Sequence, residues 1–309
     1  MKHSRYIIVI WGVTIVILAS LSAAFGRPRT EQAHQYYPFM LSSIEAVNGS
    51  TILLKIDTQL LAKPVPDWQI RFQDHLIPVF KYPVQSDGAF LGLVAIPWHA
   101  KPGQTFLIVE WTDSNGIYSR MIPFNIVVGK YRTEKLKVNP QKVNLSKKDL
   151  ARVKREKKEV KGIYSSGSFD RFWSGIFQLP LTSDVTSPFG NKRMFNGQLR
   201  SYHNGVDFRA PIGKSVHAAN SGIVRLTKNL FFSGNIVIID HGTGVFTNYA
   251  HLSRIDVSPN QHIEKGQRIG LSGNTGRVNG PHLHWGIKVN GTYVDPLQFV
   301  DVIDSIIGQ

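Results

Sequence analysis

The chain has 309 residues, of which 42% are hydrophobic; it contains no cysteine and carries a formal net charge of +15. This length allows two domains beyond a short targeting segment. The lack of cysteine excludes disulfides, thiolate metal sites and cysteine-nucleophile hydrolases, so any metal site must use His, Asp or Glu.

Residues 1–28 have the features of a signal peptide or a membrane anchor. Lys2 and Arg5 precede an uncharged apolar run of nineteen residues, Ile7–Phe25. Such a run is just long enough to span a bilayer, and it also fits the core of a cleaved signal peptide. Both interpretations predict that the remainder of the chain is exported, which argues against a nucleic-acid partner.

Residues 29–135 are predicted to form a small β-sandwich-like domain. Short apolar runs such as STILLKIDTQL, GAFLGLVAIP and MIPFNIVVGK alternate with turns that contain Pro and Gly. This pattern is typical of short strands in a sandwich. His75 and His99 lie alone near turn signals and are predicted to be structural or exposed.

Residues 136–168 are predicted to form a basic helical linker. Between Lys130 and Lys161 there are thirteen Lys or Arg against four acidic residues. Such a block favours an anionic partner, either nucleic acid, anionic lipid or anionic wall polymer, or it is simply a solvated helix face.

A single helix is predicted within this linker, over about residues 147–163. Ser146 followed by Asp149 resembles a capping box, and Leu150, Val153 and Val160 recur at helical spacing. We expect this helix to act as a hinge or arm between the domains, followed by a flexible break at SSGS, residues 165–168.

Residues 169–309 are predicted to form a Gly-rich antiparallel β domain, so that the chain as a whole is mainly β. Runs such as SGIVRLT, GNIVIIDHG and GVFTNYAHLS are short strands separated by glycine turns. Asn290-Gly291, between HLHWGIKV and TYV, predicts a tight hairpin.

Histidine is concentrated in this last domain, where seven of the eleven histidines lie between residues 203 and 284. His203 and Asp207 are four residues apart, which puts them on one face of a strand or a helix. His and Asp can supply two of the three protein ligands of an open catalytic zinc site.

The stretch GPHLHWGI adds two more histidines that share a strand face, His282 and His284. His251 lies in a third stretch, NYAHLS, of the same domain. Nitrogen and oxygen donors without a thiolate favour Zn²⁺ among the common metals. The helical zinc-protease signature His-Glu-x-x-His is absent from the sequence, so a different zinc architecture is expected.

These motifs resemble those of the lysostaphin-type zinc peptidases, which cleave peptides in bacterial peptidoglycan. The resemblance rests on the 203–207 pair, AHLS at 250–253 and GPHLHW at 280–285. SPFG at 187–190, APIGKSVHAANSGIV and GQRIGLSGNTG extend it to about residues 180–298. The preceding β domain and basic helix also resemble, more weakly, the N-terminal module of exported bacterial relatives.

The resemblance implies that one Zn²⁺ per chain is bound by His203, Asp207 and His284. It further implies that His251 and His282 are unligated catalytic imidazoles, one serving as base and one as donor to the developing oxyanion. One carboxylate and two neutral imidazoles leave the zinc site with a net positive charge that still acidifies bound water.

Other residues of the domain have weaker expected roles. Tyr249, two residues before His251, is expected either to contact substrate or to lie in the core, and Asn191 and Arg193 are candidate substrate residues. Three further histidines are expected to lie on turns or on the outer face without a functional role: His217, His241 and His262.

The leading hypothesis is an exported zinc endopeptidase that hydrolyses stem or bridge peptides of peptidoglycan. It would act in the cell envelope, whether periplasmic, anchored in the inner membrane through the N-terminal segment or secreted, and an envelope regulatory protein is a possible partner. The alternative is a non-catalytic scaffold or activator of another wall hydrolase. A basic binder of nucleic acid or membrane surfaces would explain the charge but not the histidines.

Overall fold

A computed structural model of the chain describes residues 35–36, 38–57, 67–82, 89–113, 116–136, 144–195 and 197–307. The predicted signal peptide or anchor, residues 1–28, lies outside these ranges. Within them, no helix combines the length and the apolar character that crossing a membrane requires.

The first part of the described chain is a β-sandwich. Its strands are β1 (Gln35–Tyr36), β2 (Phe39–Leu41), β3 (Glu45–Val47), β4 (Thr51–Asp57), β5 (Asp67–Phe72), β6 (His75–Ile77), β7 (Val79–Lys81), β8 (Ala89–Ala95), β9 (Gly103–Asp113) and β10 (Gly116–Val127). They form two five-stranded sheets, in the orders β1-β2-β4-β8-β7 and β3-β10-β9-β5-β6. All pairs are antiparallel except β3 with β10, which is parallel. The predicted mainly β fold with a sandwich-like N-terminal part is confirmed.

The sequence of β4 explains how this sandwich packs on both faces. Ile52, Leu54 and Ile56 alternate along the strand and enter the core between the two sheets. Leu53 points the other way and belongs to a second core, which is shared with the C-terminal half of the chain. The strand therefore contributes apolar side chains to two cores, one on each of its faces.

The second part contains the remaining strands and two helices. The strands are β11 (Thr133–Leu136), β12 (Val185–Ser187), β13 (Lys192–Phe195), β14 (Gln198–Tyr202), β15 (Val206–Arg209), β16 (Ser215–His217), β17 (Gly222–Leu230), β18 (Gly234–Gly242), β19 (Val245–Leu252), β20 (Arg254–Ile255), β21 (His262–Ile263), β22 (Arg268–Leu271), β23 (His282–Val289) and β24 (Thr292–Val294). The helices are α1 (Lys147–Ser165) and α2 (Pro296–Ile307).

The largest sheet of this part has the order β12-β15-β23-β19-β18-β17-β21, with β24 paired to β23. Asn290 and Gly291 turn β23 into β24 with φ values of 48° and 79°, so the predicted hairpin is confirmed. Two smaller sheets, β11-β13-β14 and β16-β22-β20, flank the large one.

The predicted linker helix is confirmed as α1, which is capped by Ser146. The Ser146 hydroxyl accepts a hydrogen bond from the amide of Asp149 at 3.1 Å. Of the apolar residues at helical spacing, Val153 is buried, whereas Leu150 is 54% exposed.

The helix lies against the large sheet. Val160, Ile163 and Tyr164 pack on an apolar patch contributed by β17, β18 and β19. The chain after the helix is also attached, because the amide of Ser168 donates to the buried carboxylate of Asp240 at 2.9 Å. The SSGS stretch is therefore held against the sheet rather than forming a flexible break.

The two parts of the molecule share a continuous hydrophobic core. Leu53 and Leu93 of the sandwich pack in one cluster with Trp173 and with Phe299 of α2. Gln298 of α2 exchanges two hydrogen bonds of 2.8 Å with the backbone of Thr51. The sandwich therefore packs directly against the part of the chain that contains the histidine cluster.

Candidate metal site and groove

Strand register brings two of the candidate ligands together. β15 pairs antiparallel with β23 so that Asp207 stands directly opposite His284, and Ala250 of β19 lies opposite His284 on the other side. His203 enters from the turn before β15, where its backbone exchanges hydrogen bonds with Gly190 and Asn191 at 2.8 Å.

The three candidate ligand side chains converge on one point. Nε2 of His203 lies 3.0 Å from Oδ1 of Asp207 and 3.0 Å from Nδ1 of His284, and these last two atoms are 2.8 Å apart. A tetrahedral ion with bonds of roughly 2.0–2.2 Å separates its ligand atoms by about 3.4 Å. If the three donor atoms moved apart by a few tenths of an ångström, their mutual distances would match those around such an ion.

The hydrogen bonding of His203 prepares its Nε2 to bind a cation. Nδ1 lies 2.9 Å from the carbonyl oxygen of Pro188, and because a carbonyl only accepts, Nδ1 must carry the proton. In the neutral ring, Nε2 then presents a lone pair toward an oxygen of Asp207. Two acceptors 3.0 Å apart require a proton or a metal ion between them.

Burial sets the ionisation of this cluster. The pKa of Asp207 is raised by its burial, but the charges and hydrogen bonds of His203 and His284 outweigh this and hold the pKa well below its usual range. Burial lowers the pKa of His284 to about 4, despite the opposing effect of Asp207. At neutral pH the site thus offers an anionic carboxylate and an uncharged His284 imidazole.

A second layer of residues orients the carboxylate. Arg193 donates from Nη2 to Oδ2 of Asp207, and its Nε lies 3.5 Å from Oε2 of Glu134. Oε1 of Glu134 accepts hydrogen bonds of 2.8 Å from the Ser187 hydroxyl and the Asn191 amide. Sequence reasoning missed Glu134 and Ser187, because Glu134 lies far from the motifs in a basic stretch.

His251 and His282 lie beside the cluster, and the centres of their imidazole rings are 4.7 Å apart. Nδ1 of His251 donates to the carbonyl of Thr275 at 2.8 Å, and Nδ1 of His282 donates to the carbonyl of Gly280 at 2.8 Å. Both rings therefore carry an Nε2 lone pair when neutral. Nε2 of His282 lies 3.8 Å from Oδ1 of Asp207.

The backbone of His251 is in the left-handed region, with φ at 64°. A residue with a side chain rarely adopts this conformation, and strain of this kind is concentrated at functional sites. Burial and the neighbouring His282 and His284 lower the pKa of His251 to about 3. The ring is therefore held uncharged beside the three candidate ligands.

The cluster opens into a groove of about 1660 Å³. One wall comes from the loop before β23, another from β11, and a third from α1, whose groove-lining residues include Glu156, Lys157, Val160, Lys161 and Tyr164. The volume exceeds that of a pocket for a drug-sized molecule and suits an extended polymeric substrate.

Two of the three candidate substrate residues do not line this groove. Tyr249 is fully buried, and its hydroxyl accepts from the amide of Ala219 at 2.8 Å; of its two expected roles, the core position is confirmed and the substrate contact is wrong. Asn191 is also buried, where its side chain links Arg132 to Glu134. Arg193 does line the groove, but it contacts Asp207.

Of the three histidines expected on turns or the outer face, His217 lies partly buried on β16 and His262 lies exposed on β21. The expected position is wrong for His241, which is fully buried on β18. Its Nδ1 donates to the carbonyl of Ser221 at 2.7 Å, and its Nε2 lies 2.8 Å from the hydroxyl of Thr247. Burial lowers the pKa of His241 to about 4.

Comparison with known proteins relates the residues of this site to a known protein family. The model of peptidase family M23 matches residues 201–296. The peptidoglycan DD-endopeptidase ShyA of Vibrio cholerae is 50% identical over 140 residues, which cover 44% of this chain and 33% of that protein. The DD-carboxypeptidase/endopeptidase Mpg of Neisseria meningitidis is 37% identical over 113 residues, 37% of this chain and 26% of that protein. The matches thus span about a third or less of these relatives.

A solved structure of a peptidase M23 from Pseudomonas aeruginosa superposes with a TM-score of 0.64 at 28% identity. It covers 83% of this chain and 95% of the other, so the likeness extends beyond the histidine-bearing half into the sandwich. The resemblance to lysostaphin-type peptidases is confirmed: this chain carries a peptidase family M23 domain, which contains His203, Asp207, His251, His282 and His284.

Proposed function

We propose that this protein is a zinc endopeptidase that hydrolyses peptide bonds in the stem or bridge peptides of bacterial peptidoglycan. The observation that carries the proposal is the convergence on one point of three side chains that could hold a metal ion, with two further imidazoles beside them. The names of the relatives, peptidoglycan DD-endopeptidase among them, support the same substrate class.

His203, Asp207 and His284 are proposed to bind the zinc ion. Their donor set, two imidazoles and one carboxylate without thiolate, fits Zn²⁺, and their donor atoms lie within 4.8 Å of one another. When bound in such a site, zinc acidifies a water molecule and polarises a carbonyl group. Arg193 and Glu134 hold the Asp207 carboxylate so that Oδ1 faces the two imidazoles.

His251 and His282 are proposed to move protons. When neutral, each presents an Nε2 lone pair, so one of the two rings would accept the single proton that the attacking water gives up, and the carbonyl at its Nδ1 would stabilise the resulting imidazolium. The same Nε2–H then donates to the oxyanion or to the leaving amine. Fixed carbonyl partners keep both rings in the required tautomer throughout.

The proposal includes the place of action and the domain organisation. The peptidoglycan substrate implies action in the cell envelope after export, with residues 1–28 as signal peptide or anchor. Residues 29–135 would form an N-terminal β domain, 136–168 the basic linker and 169–309 the peptidase domain. An envelope regulatory protein is proposed as a further partner.

The test uses the purified chain from residue 29 onward, without the predicted signal peptide or anchor. It should contain one zinc ion per chain and release soluble fragments from isolated sacculi. His203→Ala should lose both properties, whereas Arg209→Gln, which changes an exposed residue paired with Asp184, should retain both. Mass spectrometry of the fragments should find newly exposed amino and carboxyl groups in the peptides and intact glycan linkages.

Two results would overturn the proposal. A zinc-loaded chain that leaves sacculi intact but stimulates another hydrolase would favour the scaffold alternative. Products with cleaved glycan strands and intact peptides would indicate a different reaction.

A further inference from the structure

The side of α1 that faces away from the large sheet carries positive charge alone. The helix contains eight Lys or Arg residues against three acidic residues. With about 100° of rotation per residue, five of the cations fall within an arc of about 120°, opposite the side that packs on the sheet. These five exposed residues form the basic face of the helix: Lys147, Lys148, Lys154, Arg155 and Lys158. Over 19 residues the helix is about 28 Å long, so the basic face is an elongated surface.

The acidic residues of α1 do not neutralise the basic face, because each of them is bonded elsewhere. Glu156 accepts from the amide of Phe231 at 2.9 Å, and Glu159 accepts from the ammonium group of Lys228 at 2.8 Å. Asp149 lies at the start of the helix and accepts from the hydroxyl of the capping serine at 2.7 Å. Among the residues that the structure describes, no acidic side chain forms an ion pair with a cation of the basic face. The five charges are therefore uncompensated within the described chain.

This arrangement lowers the stability of the helix. Lys154 and Lys158 are four residues apart, and Arg155 and Lys158 are three apart, so like charges are neighbours on the helix surface. Such pairs destabilise a helix, whereas a helix face that is merely solvated commonly alternates charges of opposite sign. A bound anionic surface would relieve the repulsion. The pattern therefore favours an anionic partner over a solvated face.

The shape of the basic face suits a plane rather than a single polymer strand. It lies on a convex helix, and the lysines of α1 that line the groove, Lys157 and Lys161, are not among its residues. Four of its five cations are lysines, whose ammonium groups act as point charges, whereas the planar fork of arginine serves the paired recognition of single groups. Leu150, which is 54% exposed, lies three residues after Lys147 and four before Lys154. Lysines around an exposed leucine are typical of helices that bind lipid headgroups and place an apolar side chain at the boundary with the acyl chains.

We propose that the basic face of α1 docks the protein on a membrane surface that contains anionic phospholipids. Such a surface attracts clusters of Lys and Arg. The predicted signal peptide or anchor, residues 1–28, would bring the chain to a membrane during export. The inference goes beyond the proposed peptidase function and does not depend on it, because lipid binding requires no hydrolysis. The docked chain would keep its groove beside the membrane, since the groove-lining lysines of α1 lie at the edge of the basic face rather than within it.

The test measures co-sedimentation of the purified chain with lipid vesicles. The chain begins at residue 29, so that the predicted signal peptide or anchor does not contribute to binding. One set of vesicles consists of phosphatidylcholine alone, and the other also contains phosphatidylglycerol, which is anionic. The chain should bind the anionic vesicles and not the neutral ones. Binding should be lost in about 1 M NaCl, where the Debye length falls to roughly 3 Å.

A triple variant removes three charges of the basic face: Lys154→Gln, Arg155→Gln and Lys158→Gln. Glutamine favours a helix about as well as lysine and arginine do, and circular dichroism checks that the variant is folded. Each cation close to an anionic surface contributes roughly 5-fold to binding. The affinity of the variant for the anionic vesicles should therefore fall by roughly 10- to 100-fold.

The matched control is the triple variant Lys101→Gln, Lys130→Gln and Arg209→Gln. It also removes two lysines and one arginine, all of them exposed and outside α1. The two variants have the same net charge, so the control should keep most of the wild-type affinity if the position of the charges decides binding. An equal loss of affinity in both variants would show that net charge alone attracts the chain, and this would overturn the inference.

Equal binding of neutral and anionic vesicles by the wild-type chain would also overturn it. The wall is the other anionic surface of the envelope, and it is tested with intact sacculi in a His282→Ala background, so that hydrolysis does not degrade them. The substitutions in the basic face should leave binding to sacculi nearly unchanged. A loss of binding to sacculi at least as large as the loss for anionic vesicles would assign the basic face to wall polymer and contradict membrane docking.

Discussion

Arg193 donates to Oδ2 of Asp207, while Oδ1 of the same carboxylate faces His203 and His284. One guanidinium thus fixes which carboxylate oxygen is turned toward the metal position. Arg193 is itself held by Glu134, which lies on β11 near the start of the linker. The orientation of the site therefore depends on a strand that lies outside residues 201–296, the range matched by the family.

Arg193→Gln is expected to weaken zinc binding by roughly 10- to 100-fold, as loss of an orienting partner of a metal ligand commonly does. The carboxylate loses the hydrogen bond that fixes its rotamer and a neighbouring positive charge. Competition with a chromogenic zinc chelator measures the affinity. Lys214→Gln, which removes a lysine whose Nζ donates to the Thr182 carbonyl at 2.8 Å, serves as the control. Equal affinities of Arg193→Gln and wild type would show that Arg193 does not orient Asp207.

The buried position of His241 leads to a prediction of how the free energy of unfolding depends on pH. Burial lowers its pKa from the ordinary value of about 6.5 to about 4 in the folded chain, so below pH 6.5 the unfolded state binds the additional proton. Its contribution to the free energy of unfolding is fully present above about pH 6.5 and is lost as the pH falls toward about 4. Chemical denaturation at a series of pH values measures this loss.

The variant His241→Gln isolates this contribution, since Gln can bond to Ser221 and Thr247 but does not titrate. Its free energy of unfolding at neutral pH is expected to be lower than that of the wild type, because the site is fully buried. Between pH 6.5 and 4, however, its stability should fall less steeply than that of the wild type. Parallel pH profiles would contradict a buried neutral His241.

The shared core predicts that the two halves of the molecule unfold together. Leu93 is 1% exposed and packs against the C-terminal half, so Leu93→Ala should lower the free energy of unfolding by about 2–5 kcal/mol. Leu76→Ala, at a side chain that is 62% exposed, should have little effect. Calorimetry of the wild-type chain should give a single transition, and two separate transitions would contradict a continuous core.

The secondary-structure elements that could be predicted from the sequence are those whose signals lie within a few neighbouring residues. The hairpin at Asn290-Gly291 follows from two residues that tolerate positive φ, and the start of α1 follows from Ser146 as its cap. His284 and Asp207 come together because the register between β15 and β23 places them opposite each other. Strand periodicity alone does not give that register, and the expectation came from the family resemblance.

The error at Tyr249 has a physical cause. Two residues apart on a regular strand, Tyr249 and His251 would share a face. The left-handed backbone of His251 breaks this alternation, so the imidazole reaches the groove while the tyrosine ring enters the core. Positive φ at a histidine has no sequence signature, unlike positive φ at glycine.

Contacts between distant segments could not be predicted either. Glu134 and Arg277 reach the groove only because β11 pairs with β13 and because the loop before β23 packs on Phe232. The backbone carbonyls of Pro188, Thr275 and Gly280, which set the imidazole tautomers, have no side-chain identity for a motif to record.

The most direct test of the central claim compares zinc content in two variants of the same His-x-His pair. The account predicts that His284→Ala loses both zinc and hydrolysis of sacculi, because Nδ1 of His284 is one of the three converging donors. His282→Ala should retain about one zinc per chain while its hydrolysis falls by roughly 10²- to 10⁴-fold, as expected for loss of a general acid–base group. Zinc loss in His282→Ala as complete as in His284→Ala would contradict the division between metal ligand and proton carrier.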